Sequence, residues 1–281
     1  MADFVSFINY NGNGHQKCTI SDLNVNFGLT VPTDNKIKDY FVLVHTNVMD
    51  IIPAVQKHIL SFFHTSVPSR LDIKIDKDLA GLPKIDGVEE SSLSGENLEG
   101  AFVERFFSMY PNQERSRILA NNIKNLEETS KLFDLDCLYI DDSKTMASMI
   151  LKHFTGSHLY LFGAEIKIEE VMEFFQRWKS GEGYRNLEYL YIELKSGQFE
   201  PEMAVQLEAK PWDQTKRPMY FYRSPKLFEW LTSYYNDSSL NCKGLLDIER
   251  NDGRLASIQI SSGFLRVCVW TDSQLKMDNN A

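Results

Sequence analysis

The chain has 281 residues, 43% of them hydrophobic, enough for one large core or two ordinary ones. Asp and Glu outnumber Lys and Arg by 39 to 30, giving a net charge of −9. That argues against an extended nucleic-acid surface, which needs a basic patch to release counterions, and leaves room only for a local one.

The first sixty-odd residues read as β structure followed by a helix. Asp3 to Tyr10 and Lys17 to Val31 are rich in β-branched and aromatic residues on either side of Asn11-Gly12-Asn13-Gly14, a hairpin-type turn signal. Leu23, Val25, Phe27, Leu29 and Val31 alternate strictly, which gives a strand one buried face, and Tyr40 to His45 supplies a third strand. Asn47 can cap a helix in which Ile51, Val55, Ile59 and Phe62 share a face, with Pro53 in its first turns. Met1-Ala2-Asp3-Phe4 opens no signal-peptide pattern and no apolar run reaches bilayer length, so an intracellular chain, cytoplasmic or nuclear, is expected.

From Leu71 the pattern becomes a repeat of short strand, polar turn and helix. Its clearest copies are Leu138-Tyr139-Ile140, Leu159-Tyr160-Leu161 and Leu190-Tyr191-Ile192. Weaker copies stand at Leu71-Asp72-Ile73, Val88 to Leu93 and near Ile118-Leu119. Helical segments lie between them, at Asn97 to Tyr110, Ser143 to Phe154 and Lys167 to Lys179, the last with Ile168, Val171, Phe174, Phe175 and Trp178 on one face. Units of this kind every twenty to thirty residues predict an α/β fold built on a degenerate leucine-rich-repeat-like array with a parallel sheet. After Leu194 the repeat stops. A short helix is expected at Glu202 to Glu208, an exposed polar connection at Trp212 to Pro218, and a hairpin around Asn251-Asp252-Gly253, with Phe264 to Trp270 as a further strand. The expected domains are therefore a β-rich segment with a helix at 1–66, the array at 67–196 and a C-terminal β cap at 197–281.

Three blocks in order carry a family resemblance. The first is His158-Leu159-Tyr160-Leu161-Phe162-Gly163 with Ile168 to Val171, Phe174-Phe175, Trp178 and Leu187 to Leu190. The second is Glu208-Ala209-Lys210-Pro211-Trp212-Asp213 with Arg217-Pro218 and Tyr220, and the third is Asp247 to Gly253 running into Phe264 to Trp270. Spanning roughly residues 155–270, they resemble the F-box-associated type 2 domain of nematode F-box proteins. The resemblance implies a non-catalytic module that recognises target proteins for an SCF ubiquitin ligase, with catalysis left to other subunits. It also implies a structural role for the motif residues Trp178, Pro211, Trp212, Asp213, Asp247, Asp252, Gly253 and Trp270. Family members carry an N-terminal F-box that docks on a Skp-type adaptor. Residues 1–46 read instead as strands, so adaptor binding is not expected of this chain, and the alternative is a free-standing interaction or competitor protein.

Alternation along the repeat strands points Leu and Ile to the helices and the middle residue the other way. Tyr139, Tyr160 and Tyr191 then share the second face with Asp141, His158, Phe162, Tyr189 and Glu193. Because half solenoids leave this face free, a stacked tyrosine stripe that contacts the target protein is expected, with His158, Phe162, Tyr189 and Glu193 as its neighbours. Coverage by the N-terminal strands or a loop would instead make the tyrosines a second core.

Other chemistry is sparse. Gly12-Asn13-Gly14 lacks the third glycine and following helix of a phosphate loop. The carboxylates Asp134, Asp136, Asp141 and Asp142 surround one strand but read as solvated loop residues rather than cation ligands. The six histidines show no zinc spacing, so no metal and no cofactor is expected. A hydrolase built on Cys137 and His158 lacks an identifiable orienting acid and oxyanion donors. Cys18, Cys137, Cys242 and Cys268 are scattered without a CxxC pair and read as buried reduced thiols, and the sequon Asn236-Asp237-Ser238 reads as a turn.

Overall fold

The computed structural model describes residues 87–222 and 239–277, together with residues 82 and 85 and five strands nearer the N-terminus. These are β1 (Val5–Ser6), β2 (His15–Ile20), β3 (Leu23–Gly28), β4 (Val42–Leu43) and β5 (Ser69–Lys74). The fold is mixed α/β, and the chain divides into two compact units at Asp141/Asp142. This boundary falls inside the stretch read from sequence as one array. The turn at residues 11–14, the helix expected over 47–62 and the sequon at 236–238 lie outside the described residues.

In the first unit β2 and β3 pair antiparallel with Ile20 opposite Leu23, so only residues 21 and 22 separate them. The strand before residues 11–14, β1, pairs with β4. The unit's main sheet is parallel throughout, in the order β5, β6 (Val88–Gly95), β8 (Arg115–Ala120), β10 (Cys137–Ile140), while β7 (Leu98–Glu99) and β9 (Ile123–Lys124) form a separate parallel pair. Register puts Ser91, Ser116 and Leu138 in one row and Leu93, Ile118 and Ile140 in another on the same face. The two serine hydroxyls bond each other at 2.8 Å, which satisfies them inside the core.

Helix α1 (Gly100–Met109) buries Val103, Phe106 and Phe107, positions on one face of a 3.6-residue period. Phe106 packs edge-on against both Phe107 and Tyr110, at 5.2 and 5.0 Å between centroids. The helix starts at glycine because a Cβ on Gly100 would stand 2.6 Å from the carbonyl carbon of Asn125 and 2.9 Å from Leu126 Cα. These backbone atoms cannot swing aside as a side-chain end would. Gly100→Ala is expected to cost about 1 to 3 kcal/mol through overpacking, read as a lower midpoint in urea.

The second unit starts with α2 (Met146–His153) and β11 (His158–Ala164), followed by α3 (Ile168–Ser180) and β12 (Tyr189–Leu194), which lies parallel to β11. The Glu170 carboxylate accepts the Lys167 N–H at 2.9 Å to start α3, and Gly181, with φ 77°, ends it in the left-handed conformation. Val171, Phe174, Phe175 and Trp178 are buried as their spacing predicts, and each contributes about 1.5 to 3 kcal/mol of apolar burial. After α4 (Glu202–Gln206) the strands turn antiparallel: β12 is followed in space by β18 (Phe264–Val269), β17 (Leu255–Ile260), β16 (Leu246–Glu249) and β13 (Lys210–Pro211). The hairpin between β16 and β17 closes at Gly253, with φ 86° and Arg250 N–H bonded to Arg254 C=O at 2.8 Å, as Asn-Asp-Gly predicts. Strands β14 (Tyr220–Tyr222) and β15 (Ser239–Asn241) form a separate antiparallel pair, and α5 (Asp272–Met277) closes the unit. Among the described residues no helix is long and apolar enough to cross a membrane.

Candidate functional site

The register within the second unit sorts its side chains into two faces. Leu159, Leu190, Val267 and Ile258 lie in one row, and Leu161, Ile192, Leu265 and Ile260 in another on the same face. The opposite face carries His158, Tyr189, Cys268 and Ser257 in one row and Tyr160, Tyr191, Arg266 and Gln259 in the next. The alternation expected from the sequence therefore holds.

The expectation of an open tyrosine face does not. Tyr160 is 1% exposed, Tyr189 1% and Tyr191 7%, and His158 is buried beside them. In the first unit Tyr139 is 0% exposed, with the Arg117 guanidinium 4.8 Å from its ring centroid and its hydroxyl donating to Asp141 at 3.2 Å. These rings are a second core. Part of the physical reason is the stretch read from sequence as a polar connection: its continuation into β14 brings Phe221 against both Tyr189 (6.3 Å) and Trp270 (5.5 Å) on that face. Tyr160 meets Tyr189 diagonally at 5.1 Å, within the reach of aromatic side chains on neighbouring strands.

Arg217 organises the covering. Its fully buried side chain meets Asp247 at 2.8 to 2.9 Å, donates from Nη2 to the Cys242 carbonyl at 3.0 Å and from Nη1 to the Pro218 carbonyl at 3.0 Å. Ser257 Oγ donates to Asp247, and Trp270 Nε1 donates to Ser257 Oγ, both at 2.8 Å. The guanidinium also lies 5.0 Å from the Trp270 ring centroid and 6.0 Å from that of Trp212, whose Nε1 donates to the Arg217 carbonyl at 3.2 Å. A second arginine does similar work at α3. Arg250 stands 5.7 Å from the Trp178 ring centroid and pairs with Asp252, whose carboxyl it holds well below the usual carboxylate range, helped by the Arg254 N–H. Trp178, Trp212, Asp247, Asp252 and Trp270 thus gather around two arginines. Asp213 serves its own turn by accepting from the Thr215 N–H and hydroxyl, and Pro211 sits opposite Leu246.

Away from Phe221 and Trp270 the same face ends in a half-exposed cluster. Phe162 lies 5.2 Å from Tyr191, and Phe264 stacks on Tyr191 at 5.6 Å. The Arg266 guanidinium lies 5.6 Å from the Tyr191 centroid and 5.4 Å from that of Phe264, and donates to Gln259 at 2.7 Å. Tyr191 donates its hydroxyl to exposed Glu193 at 3.2 Å. A bulge in β11 between Leu161 and Ala164, with Gly163 at φ 59°, sets the position of Phe162, whose carbonyl accepts from the Ser143 N–H and hydroxyl at 2.8 and 2.9 Å. Phe162, Gln259, Phe264 and Arg266 are each partly accessible. Of the sequence-derived partner-binding residues, Phe162 and Glu193 reach solvent here over a Tyr191 base. Gln259, Phe264 and Arg266 were not singled out, although alternation against Leu265 and Val267 places Phe264 and Arg266 on this face.

Burial pushes the Cys137 thiol well above its ordinary range, Asp136 adds to this and Arg115 opposes it. A nucleophilic cysteine needs the reverse shift. His158 Nδ1 shares a 2.6 Å hydrogen bond with the adjacent Ser157 hydroxyl, which fixes the imidazole. Asp134, Asp136 and Asp141 are exposed and Asp142 pairs with Lys144 at 2.7 Å; among the described residues no three His, Cys, Asp or Glu side chains are grouped to hold a metal ion.

Fold and site together describe a mixed α/β protein whose second unit carries a buried aromatic face ending in an aromatic–arginine edge. No protein-family model matches the chain, and comparisons with curated proteins and with solved structures likewise found no match.

Proposed function

We propose that the chain is a non-catalytic target-recognition module of the kind that F-box substrate receptors use in SCF ubiquitin ligases, with its strand–helix units arranged as a degenerate leucine-rich-repeat-like array. The observation that carries the reading is the cluster of Phe162, Tyr191, Phe264 and Arg266. Aromatic residues and arginine are enriched where protein interfaces gain most of their energy. Tyr191 serves as the rigid base, held by Glu193, and the half-exposed rings and guanidinium of its neighbours form the contact surface.

Phe264→Ala tests this. Truncating a hot-spot ring should weaken target retention by about 1 to 3 kcal/mol, roughly five- to 150-fold, while folding stability falls by only about 1 kcal/mol. Quantitative co-purification beside a urea melt separates the two effects. Proteins retained equally by wild type and variant would place the binding surface elsewhere.

Residues 5–6, 15–20, 23–28 and 42–43 form strands, whereas an F-box is helical. Titration of the chain with a purified Skp-type adaptor should therefore show no saturable binding. Saturation would tie the chain directly to a ligase, whereas its absence fits target capture without delivery.

A further inference from the structure

The loop between α3 and β12 gathers cations from separate parts of the second unit. Tyr184 fixes that loop: its ring is buried, and its hydroxyl donates to the Leu151 carbonyl in the last turn of α2 at 2.8 Å. The Arg177 guanidinium lies 5.2 Å from the Tyr184 ring centroid and donates from Nη1 to the Lys152 carbonyl at 3.0 Å. Next to Tyr184, Arg185 donates from Nε to the Gly181 carbonyl at 3.3 Å, and its own carbonyl accepts from Arg254 Nη1 at 3.2 Å. These contacts set Lys152, Arg177, Arg185 and Arg254 in one continuous patch. Lys152 and Arg185 are exposed, Arg177 and Arg254 half-exposed.

The bonds leave the four charges uncompensated. Lys179, Lys216, Arg217 and Arg250 of the same unit each pair with a carboxylate, whereas among the described residues none of the four does. A carbonyl takes one N–H of a guanidinium and cancels no charge, so each arginine keeps donors for an outside acceptor. The acids that flank the patch along the chain are Glu173, Glu182 and Glu188, together with Asp252, which Arg250 already holds. On a chain of net charge −9 a group of unpaired cations is the exception.

We infer that this patch binds an acidic segment of a partner protein, one that carries several Asp or Glu side chains along an extended stretch. Cations drawn from α2, α3, the loop after it and the β16–β17 turn match carboxylates spaced along a peptide, and arginine is the residue suited to gripping them. The large apolar residues exposed among those described are Met109, Val205 and Leu275, none of them in the patch, so a lipid surface would meet charge without an anchor. Tyr184 lies buried beneath Arg177 and offers no face on which a nucleic-acid base could stack. The patch precedes the start of β12, whereas the Tyr191 edge lies further along that strand.

The test is fluorescence anisotropy of a fluorescein-labelled peptide of alternating Glu and Ser, titrated with the full wild-type chain in about 50 mM sodium chloride. The expected result is saturable binding that weakens as salt rises, because screening shortens the reach of exposed charges. Arg185→Gln/Arg254→Gln should weaken it roughly five- to thirty-fold, the range for losing two exposed charge pairs. Lys210→Gln/Lys276→Gln removes two exposed cations from β13 and α5 and should change it by less than about two-fold. Urea melts check that each variant folds, and Arg185→Gln alone, at an exposed position, replaces the first double variant if that one does not. The inference is overturned by binding that does not saturate, by equal weakening in the two double variants, or by tighter binding to phosphatidylserine vesicles or to oligothymidylate than to the peptide.

Discussion

Replacing Arg217 by methionine should cost about 3 to 5 kcal/mol of folding stability, because it leaves the Asp247 carboxylate buried without its counter-charge. The substitution keeps much of the apolar stem but removes the pairing to Asp247 and the hydrogen bonds to the Cys242 and Pro218 carbonyls. It also frees the faces of Trp212 and Trp270 from the guanidinium. A second substitution sharpens the test. In Arg217→Met/Asp247→Leu the uncompensated charge is gone, so the double variant should recover about 1 kcal/mol or more relative to the single one. Urea melts of the three proteins check both parts. A single variant within about 1 kcal/mol of wild type would mean that the ion pair is not what holds the covering segment to the sheet.

Tyr160→Ala should have an effect of similar size, about 3 to 5 kcal/mol, as expected when a large buried aromatic is truncated in a packed core. The ring is 1% exposed and lies against Tyr189, which itself packs on Phe221. Removing it leaves a cavity that neighbouring strands, fixed by their ladder, cannot close. Tyr139→Ala in the first unit should behave likewise, with the added loss of the Arg117 contact and of the hydrogen bond to Asp141. Had these rings lain on an open face, each truncation would change stability by only about 0.5 kcal/mol. Denaturant melts therefore separate second core from free surface before any target is known.

Much of this architecture was legible from local pattern. Leu159 and Leu161 flanking Tyr160, the helical spacing of Val171 to Trp178, and Asn251-Asp252-Gly253 between apolar runs are each set by neighbours within a few positions, where period and turn chemistry decide. Alternation also told correctly which side chains share a face. It could not tell what lies over that face, because coverage depends on segments distant in sequence. Trp212 to Pro218 is polar enough to read as an exposed connection, yet Arg217 within it is buried, since Asp247, thirty residues on, supplies the opposite charge. The pairing of β1 with β4, some thirty-six residues on, is non-local in the same sense. The candidate site was only half visible for this reason: Phe162, Tyr191 and Glu193 come from repeat strands, whereas Phe264 and Arg266 reach them on an antiparallel strand that the repeat does not encode.

On the proposed function, a target protein binds at the edge built on Tyr191. Its most direct test is site-specific photocrosslinking in cells, with benzoylphenylalanine in place of Phe264 and, as a control, in place of exposed Glu169 on α3. The expected result is a discrete crosslinked partner from position 264 that is missing from position 169. Identical products from the two positions, or none from position 264 in a chain that still folds, would contradict it.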